Sequence, residues 1–239
     1  MSSLHFLLDG VLKAIELMLS LDPYLLSATK VSLQVSGVAL ILSTLTAIPL
    51  AVLIAMKEFR GKRLLTTIIN SSMGLPPVVV GLVVLLFLIR SGPLGFLALL
   101  YTPTAMIIAQ YILATPIITG VAIPAISSVE KKIGEVAISL GASDLDVAIL
   151  ALKEAKLGVI TAILAGFGRA IAEVGSVLIV GGNIAFLERG HEISYTRTLT
   201  TAITVETRKG DFSTAIALGI ILIALAFLVN LAVTLVKER

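Results

Sequence analysis

The sequence predicts an all-α membrane protein with about five transmembrane helices, and three observations predict it. Of its residues, 57% are hydrophobic and 14% are charged, with a mean hydropathy of +1.08. That is too apolar and too sparsely charged for a soluble domain of this length. Five runs can cross a hydrocarbon core, at residues 26–56, 65–89, 104–125, 157–181 and 212–236, because a helix needs about 20 apolar residues to do so. Finally, the basic residues collect on alternate connections. Lys57, Arg60, Lys62 and Arg63 crowd the first, and Lys131, Lys132, Lys153 and Lys156 lie in the third, while Arg90 stands alone near the second. The positive-inside bias then puts the first connection, segment 127–156 and the tail 237–239 in the cytoplasm. The N-terminus falls outside, the number of spans is odd and the C-terminus falls inside.

Several functions are excluded at once. No cysteine is present, so disulfide and thiolate chemistry are unavailable, and His5 and His191 are the only histidines, too few for a histidine-rich metal site. No catalytic or metal-binding residue is predicted. The net charge of +3 comes from basic residues flanking apolar spans, not from a patch interleaved with aromatics, so nucleic acid is not an expected partner. An intramembrane enzyme lacks the cysteine or intramembrane histidine that most versions need.

Residues 1–24 precede the first span. Leu4, Leu7, Leu8, Val11, Leu12, Ile15 and Met18 recur at helical spacing, with His5, Asp9, Lys13 and Glu16 on another face. The pattern predicts an amphipathic helix lying at the interface, ended by Asp22-Pro23; it has neither the basic n-region nor the small-residue cleavage site of a signal peptide. A sixth span stays open as an alternative. The second span carries Pro76 and Pro77 in its interior, where missing N–H donors and ring clashes predict a bent helix. The bend reads either as a packing kink or as part of a translocation path in which freed carbonyls face water.

Segment 127–156 is a polar, amphipathic insert between two apolar runs. Ser127 with Glu130 and Ser143 with Asp146 are capping-box spacings, and Gly141 lies between them as a helix stop. Two short helices with a sharp corner are expected. In the fourth span, Arg169 and Glu173 share a helix face. An unpaired charge at mid-membrane costs roughly 2.5–3.5 kcal/mol, so the two should face the interior or water, as a structural pair or as pathway groups. Gly168, Ala172 and Ser176 form a small-residue stripe suited to close helix approach and a plausible dimer seam. Gly181-Gly182-Asn183 signals a loop.

Segment 183–211 is expected to be an external loop carrying a short helix in residues 196–208, dipping into the outer half of the bilayer. Arg197 and the hydroxyls of Thr198, Thr200 and Thr201 would then meet a wet cavity, where they suit a tetrahedral dianion. The alternative is that Arg197, Glu188 and Glu192 contact an external protein.

Four strings in this frame carry a family resemblance. Glu135, Ala137 and Gly141 in EVAISLG resemble the EAA loop of ABC-importer permeases. Val136 replaces the middle alanine, and Glu154 stands where many members have proline, which predicts a helical exit into the next span. LPPVV-G at residues 75–81, GFGRAIAEVGSVLIVGGNI at 166–184 and TRT at 196–198 resemble the molybdate and tungstate permease group, the VGGN ending being more tungstate-like. The resemblance covers nearly all of the chain after residue 25.

It implies a type I importer fold over residues 1–239, working as a homodimer in a prokaryotic cell membrane. A coupling helix using Glu135, Ala137, Ser139, Leu140, Gly141 and Ala142 would dock on a separate ABC ATPase. Pro76, Pro77, Arg169, Glu173, Ser176, Arg197, Thr198 and Thr201 are the candidate pathway residues. No GxxxxGK[ST] motif occurs, so ATP and magnesium would be bound by that partner and no cofactor by this chain. An extracytoplasmic oxyanion-binding protein would deliver tungstate, or molybdate or another tetrahedral oxyanion. A channel or secondary transporter is the competing class, and it would not need the EAA-like corner.

Overall fold

The computed structural model describes residues 3–237; the side chains of residues 3–7, 130–133, 135, 232, 233 and 235–237 lie outside that description. Helix α1 (Ser3–Leu19) leads into α2 (Pro23–Met56), whose first turn is closed by Asp22 accepting from the N–H groups of Tyr24 and Leu25. Then follow α3 (Lys62–Ser72), α4 (Pro77–Leu88), a 3-10 turn at Gly95–Leu97, α5 (Pro103–Ser139), α6 (Asp144–Glu154), α7 (Lys156–Ile171) and α8 (Gly175–Gly181). A hairpin of β1 (Ala185–Glu188) and β2 (His191–Ser194) precedes α9 (Leu199–Lys209) and α10 (Phe212–Lys237).

Among the described residues, three helices, α2, α5 and α10, are long and apolar enough to cross a membrane, and two bent pairs, α3 with α4 and α7 with α8, raise the number to as many as five. The all-α membrane architecture is thus as expected. α1 has 17 residues and packs through the buried Ala14 on Ala217 and Leu218 of α10, while Leu12 and Leu19 stay exposed. A helix with one protein-covered side and exposed leucines fits the interfacial reading.

The second run is not a bent helix. α3 and α4 meet at 101° across Met73–Pro76, a break in place of the expected kink. Pro49, Pro116 and Pro124 sit inside α2 and α5 without interrupting them, so one proline is not sufficient. At Leu75-Pro76-Pro77 two consecutive rings remove two donors and push Leu75 and Pro76 out of the helical region. Pro76 accordingly adopts an extended conformation (φ −63°, ψ 123°) and Pro77 becomes the first residue of α4.

Ser127 does not start a helix. α5 passes uninterrupted through it to Ser139, because the apolar spacing of residues 118–126 continues past Ser127 and a propagating helix outweighs an internal capping signal. The second expected box is formed: Ser143 Oγ accepts from the Asp146 N–H, and the Asp146 carboxylate accepts from the Ser143 N–H at 3.0 Å. Gly141, at φ +88°, turns the corner in a Schellman pattern, with Ala142 N–H on Ala137 O and Gly141 N–H on Ile138 O. Only Ala155 separates α6 from α7, so the exit at Glu154 is helical apart from that residue.

Packing concentrates in three clusters. At the hairpin end, Val31, Val84, Met106 and Val177 join α2, α4, α5 and α8. At the corner end Ala47, Ala51, Ala122, Ala151 and Ala162 join α2, α5, α6 and α7; alanines there let backbones approach without a hydrophobic drive between helices. The third cluster holds α1, α2, α9 and α10 through Leu25, Leu199 and Leu218.

Candidate functional site

The two broken runs meet inside the molecule. A Cβ on Gly81 of α4 would lie 2.7 Å from Ser176 Cα of α8, and one on Gly175 2.8 Å from Val78 Cγ2, so the half-helices approach this closely only because both positions are glycine. The break in the fourth run, 56° between α7 and α8, frees carbonyls and amides that need partners. Gln110 of α5 donates to Ala170 O at 3.0 Å, Thr200 donates to Glu173 O at 2.8 Å, and Glu173 Oε1 accepts from the Ser176 N–H at 3.0 Å. Glu173 is therefore a cap for α8 as well as a partner of Arg169, whose Nη2 lies 3.7 Å from Glu173 Oε2. Glu173 is 3% exposed, and the Arg169 side chain 33%, which leaves the cation side of the pair accessible. Ser176 Oγ and Gln110 Oε1 are buried without a hydrogen-bond partner.

The expected small-residue stripe does not survive the break. A Cβ on Gly168 would face open space, whereas Ser176 is 0% exposed and packed against Gly81 of the same chain. Ser176 is consequently no part of a seam between protomers.

The segment after α8 differs most from expectation. Residues 185–194 form an antiparallel hairpin with Glu188 opposite His191, turned by Arg189 (φ 49°) and Gly190 (φ 84°), the pair of positive φ values that a two-residue turn of this hand demands. The Arg-Gly pair between AFLE and HEIS was the sequence signal for it. The expected short helix is present as α9, but Arg197 and the threonines do not line an open cavity. Thr198 and Thr201 close a capping box at its N-terminus, and the Leu199 N–H donates to Ser32 Oγ at 2.7 Å. Their hydroxyls are spent on the chain's own backbone.

Arg197 is 8% exposed and sits in a polar network. Its Nη1 lies 2.9 Å from Glu192 Oε1 and 3.1 Å from the Tyr24 hydroxyl, which donates to Glu206 Oε1 at 2.8 Å. Lys209 completes the ring, 3.0 Å from Glu206 and 3.3 Å from Glu192. Burial acts to raise the Glu192 carboxyl, but Arg197 and Lys209 outweigh it and hold it below the usual carboxylate range. Burial acts to lower Lys209, and Glu206 with Glu192 outweigh that and hold the ammonium charged. A cavity of about 360 Å³ opens beside the ring, lined by Asp22, Tyr24, Glu192, Glu206, Lys209 and Asp211.

At the other end, the corner residues Ser139, Leu140 and Gly141 are exposed, Leu140 at 83%, and Ala142 and Ala137 are half-buried. The Glu135 side chain lies outside the described residues. Lys57 pairs with Asp144, tying the end of α2 to the start of α6 and holding the Asp144 carboxyl below its usual range. Among the described residues, no group of three or more His, Cys, Asp or Glu could hold a metal ion. Gln110 and Tyr24 were missed at the sequence level; a lone amide in an apolar run and a tyrosine two residues after a capping aspartate were their only marks.

Five apolar runs, two of them broken and meeting in a polar interior, define a multi-pass membrane protein built around internal half-helices. The chain belongs to the family of binding-protein-dependent transport system inner membrane components, whose model matches residues 47–239. It is 52% identical over 207 residues to a probable anion ABC transporter permease protein of Haloferax volcanii, covering 87% of this chain and 88% of that one. Identity is 39% over 236 residues to a tungstate uptake system permease protein of Peptoclostridium acidaminophilum, covering 99% and 100%. A tungstate uptake system permease protein of Campylobacter jejuni is 35% identical over 227 residues, covering 95% and 92%. Such components are transport subunits, not enzymes.

Proposed function

We propose that this chain is the membrane-spanning permease of an ATP-driven importer that carries tungstate received from an extracytoplasmic binding protein. The observation that carries the reading is the near full-length identity to two permeases named for tungstate uptake. ATP and magnesium belong to a partner ATPase, docked on the exposed corner through Glu135, Ala137, Ser139, Leu140, Gly141 and Ala142. Its support is the Schellman-capped turn at Gly141, which presents an exposed Leu140 on a polar segment rich in lysine. Two copies form one path, because five spans are too few to enclose a gated route alone. The N-terminus is outside and the C-terminus cytoplasmic, on the distribution of lysine and arginine.

Within the path, Arg169 is the cation that meets the anion, since Glu173 neutralises it loosely at 3.7 Å and a third of its side chain is exposed. Arg197 is committed through its guanidinium Nη atoms to Glu192, Tyr24 and Asn183 and holds the segment around it in place. Pro76, Pro77 and Ser176 shape the junction of the half-helices, and Thr198 and Thr201 fix α9 beside it. A dianion crossing a narrow path needs weak, few contacts, or it is trapped. The test is radiolabelled tungstate uptake by vesicles containing this chain, its ATPase and its binding protein, with molybdate and sulfate as competitors. ATP-dependent uptake inhibited first by unlabelled tungstate is expected. Uptake without the ATPase would mean a channel or secondary transporter, and stronger competition by molybdate would change the cargo.

A further inference from the structure

An apolar groove with a cavity of about 470 Å³ runs between the last turns of α2 and the face of α6, lined by Pro49, Val52, Leu53, Leu145, Ile149 and Leu152. Lys57 and Asp144, at one end, are its only charged lining residues. α2 is long and apolar enough to cross a membrane and Met56 is its last residue, so the groove lies at the end of that helix, with Lys57 and Asp144 just beyond its last turn. Groove walls this apolar suit a hydrocarbon chain.

Its polar end continues into loop 57–63. Lys57 is paired with Asp144 and Lys62 with Glu58. Among the described residues, Arg60 and Arg63 carry no ion pair, and both are exposed. Arg63 with Lys62, Thr66 and Thr67 lines a second cavity of about 500 Å³. Arg60 follows Lys57 by three residues, so it lies within about 11 Å of it, less than the span of one phospholipid. α3 exposes Leu64 and Ile68 beside these cations, apolar side chains within reach of a lipid's acyl chains.

We propose that the α2–α6 groove and loop 57–63 form one binding site for an anionic phospholipid, with an acyl chain in the groove and the phosphate at Arg60 and Arg63. The apolar slot selects for a lipid over a free phosphate, and the two unpaired guanidiniums select for an anionic over a zwitterionic headgroup. A chain seated there wedges α6 against α2, immediately after the corner at Gly141. The inference goes beyond the transport reading and does not depend on which anion is carried.

The test titrates the purified full-length chain in detergent with a fluorescent phosphatidylglycerol and with the matching phosphatidylcholine. Phosphatidylglycerol should bind roughly tenfold or more tighter, the scale expected of two surface arginines. Arg60→Ala with Arg63→Ala should abolish that preference, and Arg60→Lys with Arg63→Lys should retain most of it. Ala148→Trp, which fills the groove without touching the loop, should weaken both lipids together. Equal binding of the two lipids by the wild-type chain, or a preference that survives the double alanine variant, would overturn the site. Unchanged affinity in Ala148→Trp would remove the groove from it. Because binding is read without transport, neither outcome bears on the cargo.

Discussion

The two ends of the molecule hold their shape by different means. At the corner end, the turn from α5 to α6 is shaped by partners within six residues, the Schellman bonds around Gly141 and the Ser143–Asp146 box, with the exposed Lys57–Asp144 pair as a long-range tie. At the hairpin end, residues 183–209 depend on partners far away in sequence. Tyr24 meets Glu206 across 182 positions, and Ser32 meets the Leu199 N–H across 167. Local bonds leave the corner exposed, while long-range bonds bury the hairpin-end segment and fix it to α2. The first arrangement should be cheaper to disturb than the second.

Breaking the outer ring should give the largest loss of stability. Arg197→Ala removes the cation shared by Glu192 and Tyr24 and should cost about 2 kcal/mol, less than a fully buried pair because Glu192 is partly exposed. A substantially lower Tm in detergent is expected, with uptake falling in proportion to folded protein; an unchanged Tm would return Arg197 to a direct role in transport. The α7–α8 break should come next. Glu173→Ala strips the Ser176 N–H of its acceptor as well as Arg169 of its partner, so it should destabilise more than Arg169→Ala. A double-mutant cycle on melting should give a coupling energy of about 1 kcal/mol or less at 3.7 Å. Arg169→Ala should slow uptake while leaving Tm nearly unaltered.

The corner end should respond in the opposite sense. Gly141→Val places a β-branched residue at φ +88°, a local strain of about 1–2 kcal/mol. The global Tm should fall less than in Arg197→Ala, yet co-purification with the ATPase should fall sharply; normal association would exclude the corner from docking. Smaller still, acidification should loosen the hairpin. The Glu192 carboxyl is held below its ordinary value of 4.5 by Arg197 and Lys209. Its contribution is therefore complete above that value and lost as pH falls through the lower, folded one. Hydrogen-exchange protection in residues 185–194, corrected for the intrinsic pH dependence, should fall as the pH drops below 4.5 while protection at the corner stays level.

The legibility of each region follows from the range of its interactions. Gly141, the Ser143–Asp146 box, the pairing of Arg169 with Glu173 and the ends of α10 could be read from the sequence, since each rests on residues within one or two turns. The ring around Arg197 and the support of the break by Gln110 and Thr200 could not, since their partners come from α2, α5 and α9; the hairpin is local, but its Arg189-Gly190 turn is a weaker mark than Asn-Gly. Ser127 misled for a related reason: its capping spacing is genuine, but a helix already under way from Pro103 continues through it.

What the sequence by itself determined is the membrane class, five apolar runs and the sharp corner, because hydropathy, charge asymmetry and the φ preference of glycine act on each stretch independently of the rest. The tertiary structure alone decided that the second and fourth runs are broken helices meeting at Gly81 and Ser176, and that Arg197 is a buried strut. Burial in a low-dielectric interior makes every freed backbone group and every charge find a partner, and which partner is within reach is a property of the packed molecule.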